Sequence, residues 1–188
     1  MERIILGIDP GTRLMGYSIL SIDGNRAEFV TMDVLNMTKI ASHELKIKKI
    51  FDTTREIINS YHPDFLAIEA PFYGKNVQSM LKLGRAQGVA IAAALANEIP
   101  FCEYEPRRIK QSVTGNGAAS KEQVAAMLQR LLRFDGNPRY LDATDALAVA
   151  YCYFLNNNNS TPQMPQTSKK HNSWASFISE NQSRVKKS

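Results

Sequence analysis

The chain is poor in sulfur, histidine and long apolar runs, and each shortage excludes something. Two cysteines, Cys102 and Cys152, are too few for a disulfide framework. Both sit in apolar surroundings with no second Cys or His at metal spacing, so they read as reduced core residues of a cytosolic protein. With three histidines and no Cys/His cluster, no zinc site is suggested. The longest uninterrupted apolar run, Val89 to Ala96, falls far short of the ~20 residues a membrane span needs. The opening Met1-Glu2-Arg3 leads into a short apolar stretch without a cleavage site, so a signal peptide is not expected. One-signed charge is also scarce in the body of the chain. Of the formal +5, the stretch 156–188 carries +4 (five basic residues and Glu180). A high pI is therefore weak evidence for a nucleic-acid partner, and the position of individual charges matters more.

The 188 residues suffice for one domain with a real core. Residues 3–8, apolar after the opening Arg3, have the pattern of a buried strand, ended by turn chemistry at Asp9-Pro10-Gly11-Thr12. Residues 16–22 and 26–34 read as strands joined by a hairpin at Asp23-Gly24-Asn25. A helical period runs from about 41 to 61 and stops at Pro63. Phe65-Leu66-Ala67-Ile68 is a short buried strand closed by Glu69. A long helix is expected over 76–97, a fifth strand over 99–104, and helices over 106–113, 121–134 and 142–155. This order predicts an α/β fold, a mixed five-stranded sheet with helices on both faces. The domain is placed at 1–155. The Asn/Ser/Gln/Lys-rich stretch 156–188 reads as a basic, mostly disordered tail. Within it Trp174 to Ile178 is an apolar island, either a partner-induced element or a chance cluster.

Four acids attract notice. Asp9 and Glu69 each close an apolar strand, and ligand sites of α/β sheets gather at the carboxyl ends of strands. Asp142 and Asp145, spaced i, i+3, share one face of a helix. Singly, each has a plainer explanation. Asp9 can be a turn residue, Glu69 a solvated strand end, and Asp142 and Asp145 a helix cap and a first-turn acid. Together they can meet, and such a meeting is costly without a cation. Two carboxylates ~4 Å apart repel by roughly 4 kcal/mol at an effective dielectric near 20. An all-oxygen set suits Mg²⁺ or Mn²⁺, which support phosphodiester hydrolysis.

Basic and aromatic residues surround these acids in sequence. Phe72, Tyr73 and Lys75 follow Glu69 on a loop, where an aromatic can stack on bases or simply cover the core. Arg107, Arg108, Lys110 and Gln111 precede a Gly-rich stretch. Ser120 with Gln123 is a capping-box signature, and Lys121 falls in that helix's first turn, a position suited to phosphate contact or to plain solvation. Gly84, Gly88 and Ala92 make a small-residue stripe, explained by packing on the sheet or by a helix contact across a dimer.

The sequence resembles the RuvC family of crossover-junction endodeoxyribonucleases over nearly all of 1–155. The resemblance rests on Gly7-Ile8-Asp9-Pro10-Gly11-Thr12 with Gly16-Tyr17, Ala67-Ile68-Glu69, Lys75-Asn76, Leu81 to Ala90, Lys110 to Gly115, and Asp142 to Ala148. It implies a ribonuclease-H-like fold, a homodimer, two Mg²⁺ per active site with Mn²⁺ able to substitute, and paired nicking of four-way DNA junctions. It implies catalytic, metal-holding roles for Asp9, Glu69, Asp142 and Asp145. Phe72 would enter the junction, and Lys110 and Lys121 would hold the scissile backbone. It further implies a RuvA–RuvB branch-migration partner and a bacterial cytoplasmic location. Two departures stand out: Ala70-Pro71 after Glu69, and a tail without an obvious counterpart in shorter members. Rival readings are another ribonuclease-H-like nuclease, a sugar-kinase-like or actin-like ATPase, and a non-catalytic junction binder. The ATPases need two lobes where this chain has room for one, and a mere binder has no need of four acids.

Overall fold

The structure, a computed structural model, describes residues 2–71, 76–134 and 141–157. Its sheet has five strands: β1 (Arg3–Asp9), β2 (Leu14–Asp23), β3 (Arg26–Asn36), β4 (Phe65–Glu69) and β5 (Phe101–Tyr104). The order across the sheet is β3-β2-β1-β4-β5. The first three strands form an antiparallel meander, and β4 and β5 are added in parallel beyond β1. The helices are α1 (His43–Tyr61), α2 (Val77–Leu95), α3 (Pro106–Thr114), α4 (Lys121–Leu132) and α5 (Leu141–Asn157). The mixed sheet and its ten elements follow the expected order. The boundaries differ by a few residues. Helix α2 ends at Leu95, and α5 continues to Asn157, past the expected domain edge at 155. The rest of the expected tail lies outside the described residues.

Alternation along β1 sorts the core into two layers. Leu6 and Ile8 face one side, packed with Ile50, Ile57 and Ile58 of α1 and Ala86, Ala90 and Ala94 of α2. Ile5 faces the other side, packed with Leu147 and Val149 of α5 and with residues of α3 and α4. Strand β4 repeats the pattern, with Leu66 and Ile68 in the first layer and Phe65 and Ala67 in the second. A period of two therefore carries Asp9 and Glu69, the odd-numbered last residues of their strands, to the α5 side.

Local signals fix the helix starts. Ser42 caps α1 and Asn76 caps α2, each side chain accepting a backbone N–H from three residues on. At α4 both halves of the Ser120/Gln123 capping box are formed.

Candidate active site

Helix α5 lies very close to the sheet because two strand residues have no side chain. A Cβ on Gly7 would stand 2.3 Å from the Ala146 carbonyl oxygen, and one on Gly16 would stand 1.9 Å from that of Asp142. Real Cβ atoms do not approach backbone so closely, so both positions require glycine. Gly16 also pairs with Asp9 in the β1–β2 register. The first turn of α5 is thus seated directly beside the end of β1. Ala146, Val149 and Ala150 continue the fit down the helix, all fully buried.

Three of the four expected acids meet there. One carboxylate oxygen from each of Asp9, Asp142 and Asp145 lies within 4.8 Å of the others. Asp142 is the second residue of α5 and Asp145 falls one turn on, so the pair share one face. Glu69 stands outside that closest group but inside its field. Strand β4 runs parallel beside β1 with Ile68 opposite Ile8, which sets Glu69 level with Asp9.

The electrostatics match a crowded anionic site. Burial, then the charges of Glu69, Asp145 and Asp142, push the Asp9 carboxyl up to about 8. Burial and the Asp145 charge raise Glu69 to about 7. Asp145 is raised by burial, against the opposing pull of Lys121. Lys121 reaches in from the first turn of α4 to bond Asp145, and its Nζ lies 3.6 Å from Asp142. Burial works against its charge, but the bond to Asp145 and the field of Asp145, Asp9 and Asp142 outweigh it and raise its pKa. Lys110 favours the ionised forms of Glu69 and Asp145. Arg107 is exposed on α3 with its side chain against Gly117. Phe72, Tyr73 and Lys75 lie outside the described residues.

This donor set fits a hard divalent cation. It offers only carboxylate oxygens, and burial with the neighbouring charges disfavours the ionised form of Asp9 unless a positive charge offsets them. The concavity touching the cluster is about 350 Å³, lined by residues 11–14, Thr38 and Asp142. A larger one of about 760 Å³, at the β2–β3 hairpin and the ends of α4 and α5, contains none of the acids. An open strand-end site suits an extended polymer better than an engulfed small molecule.

Two features of the site carry little signal in the sequence. The importance of Gly7 and Gly16 as contact points for α5 was hidden, because a glycine in a strand has several explanations. Gln87 is buried and bonds the backbone of Glu69. Its signal was a single polar residue among the buried positions Ala86, Ala90, Ala93 and Ala94 of α2.

Sheet order and acid cluster together define a class, the ribonuclease-H-like nucleases. The sequence profile of the family described as "Crossover junction endodeoxyribonuclease RuvC" matches residues 5–153. A protein of that description from Bacteroides fragilis is 54% identical over 187 residues, covering 98% of this chain and 97% of the relative. One from Porphyromonas gingivalis is 51% identical, with 98% of each chain covered. The structure "T. thermophilus RuvC in complex with Holliday junction substrate" superposes with a TM-score of 0.74 at 28% identity, covering 80% of this chain and 92% of that one. This chain belongs to the RuvC family. The B. fragilis alignment also reaches past the end of the family profile, so most of the expected tail has an aligned counterpart in that relative.

Proposed function

We propose that this protein is a structure-selective endonuclease that resolves four-way (Holliday) DNA junctions by symmetric nicking of two opposing strands, in recombination and repair. The observation that carries the reading is the convergence of Asp9, Asp142 and Asp145 at one strand end, with Glu69 alongside, in a chain of this family. These four acids would hold two Mg²⁺ ions, for which Mn²⁺ could substitute. When bound, the ions supply Lewis acidity for attack of water on a phosphodiester.

The chain's own residues do the rest. The carboxylates fix the cation positions from rigid strand ends and one helix turn. Lys121, a charged donor already aimed at the cluster, neutralises part of its charge and would offer its ammonium group to the scissile phosphate. Lys110 on α3 joins Lys121 in holding the scissile backbone, and Arg107 on the same helix contacts the DNA. Phe72, Tyr73 and Lys75, which follow Glu69 in the sequence, engage the junction itself.

Two nicks in opposing strands call for two equivalent sites, which a two-fold homodimer supplies. The outer face of α2 supports that assembly. Gly88 and Ala92 are exposed there, Val77 and Leu81 are more than half exposed, and a Cβ on Gly84 or Gly88 would touch nothing within 4 Å. The setting is the bacterial cytoplasm, with a RuvA–RuvB branch-migration complex as partner. Among the described residues no helix is long and apolar enough to cross a membrane.

The test is incubation of purified protein with a synthetic four-way junction and the matching linear duplex, with Mg²⁺ or EDTA. Paired, ligatable nicks in the junction alone, dependent on Mg²⁺, are expected. Junction-selective binding without cutting across several junction sequences would favour a non-catalytic role. Cutting of other nucleic acids instead would keep the nuclease and discard the resolvase.

A further inference from the structure

Among the described residues, the buried polar side chains are four hydroxyls (Ser18, Ser21, Thr54, Thr144) and one carboxamide, Gln87. The carboxamide sits on the sheet-facing side of α2, between Ala86 and Ala90. Its Nε2 donates to the Glu69 backbone oxygen at 3.3 Å and to Glu103 Oε1 at 2.5 Å. Both partners are pure acceptors, so the amide nitrogen must be the end that faces them.

We infer that Gln87 is a positioning residue for the acid cluster: its amide ties helix α2 to the ends of β4 and β5 and so sets the backbone from which Glu69 projects. The inference rests on the proposed metal-dependent nuclease site. Glu69 is the last residue of β4. Beyond it, Ala70 N–H donates to the Tyr104 carbonyl at 2.9 Å, and the next residue, Pro71, has no N–H to offer. The sheet's own bonding therefore ends one residue beyond Glu69. Gln87 adds a tie at that point from a different layer. Glu103, paired with Ile68 across the β4–β5 ladder, holds the amide in place through a charge-assisted bond. Partners of this kind, which orient a ligating group without touching the cation, commonly affect metal affinity and rate by about ten- to a hundredfold.

The decisive variant is Gln87→Met, which keeps length and volume but donates nothing. Gln87→Leu is the alternative should the first not fold. Gln87→Arg, which restores donors, is the rescue. Four quantities are read on the full chain: Mn²⁺ affinity without DNA, single-turnover junction cleavage, junction affinity in Ca²⁺, and melting temperature. Gln87→Met is expected to weaken Mn²⁺ binding and slow cleavage by about tenfold each, with junction affinity within about twofold of wild type. Gln87→Arg is expected to recover most of both losses. Unchanged Mn²⁺ affinity and cleavage in a folded Gln87→Met protein would overturn the inference. So would parallel losses of junction affinity, cleavage and melting temperature, the mark of a general structural role. If wild type binds Mn²⁺ but does not cut junctions, the resolvase reading fails by itself, and the Mn²⁺ affinities still decide the role of Gln87.

Discussion

The two faces of the sheet use glycine in opposite ways. On the α5 face, Gly7 and Gly16 are pressed against helix backbone, and a methyl group at either would collide with a carbonyl oxygen. On the other face, α2 turns Gly84 and Gly88 away from the sheet, and a methyl there meets nothing within 4 Å. The first pair builds the site inside one chain, by letting α5 bring two aspartates to the end of β1. The second pair leaves room on the outer face of α2. All four glycines fall in motifs of the family resemblance, so the motifs alone do not separate the two uses. Only the structure does.

The largest effect should come from the acids that the α5 face assembles. Asp9→Asn is expected to abolish Mg²⁺-dependent junction cutting while leaving junction binding largely intact, as measured by gel shift and cleavage on the same substrate. Loss of both together would make Asp9 structural and undo the assignment of roles. Lys121→Ala should weaken cleavage more than binding, and an unchanged rate would remove Lys121 from the site.

Next in size is the glycine contact itself. Gly16→Ala places a methyl against the Asp142 carbonyl, a backbone atom that cannot swing aside. Overpacking of this kind costs about 1–3 kcal/mol, read as a shift in the urea midpoint. Because the displaced group is the first turn of α5, cleavage should fall further than the loss of folded protein explains. A stability loss without that excess would mean α5 absorbs the strain away from its acids.

A subtler test uses the charge that the tight face accumulates. Asp9 and Glu69 have native pKa values raised from 3.8 and 4.5 to about 8 and about 7. A carboxyl with a raised native pKa contributes stability that is complete below its unfolded value and lost as pH rises through the native one. In EDTA, wild type should therefore lose stability relative to Asp9→Asn as pH climbs from about 4 to about 8. Adding Mg²⁺ at the upper end should restore wild type and not the variant. Parallel melting curves for the two proteins across that range would show that the Asp9 carboxyl is not perturbed.

How much of this was legible beforehand depends on the range of the cause. Strand β1 and the capping box at Ser120 are written in adjacent residues, and both formed as expected. The convergence of Asp9 with Asp142 and Asp145 joins opposite ends of the domain. Strand-end logic suggests that meeting without fixing it, because nothing local says that β4 lies beside β1 or that α5 crosses both. Lys121 reads locally as a solvated first-turn lysine, in a position where the helix dipole makes a cation mildly unfavourable. The nearby aspartates of a different helix reverse that preference. Gln87 was least visible, because its partners lie on strands before and after its own helix.

The smallest effect belongs to the open glycines, and it sharpens the contrast with Gly16. Neither Gly84 nor Gly88 has a positive φ or a neighbour for a new methyl to strike. Within one chain, alanine should then act through helix propensity alone and stabilise α2 by up to about 1 kcal/mol at each position. A second copy packed on this face would reverse the sign, since close backbone approach tolerates no added methyl. Gly88→Ala is therefore expected to raise the stability of the dilute monomer and to loosen self-association, both measurable by melting and sedimentation across a concentration series. Greater monomer stability with unchanged association would move the dimer contact off α2. Lower monomer stability would mean that Gly88, like Gly16, answers to a contact inside its own chain.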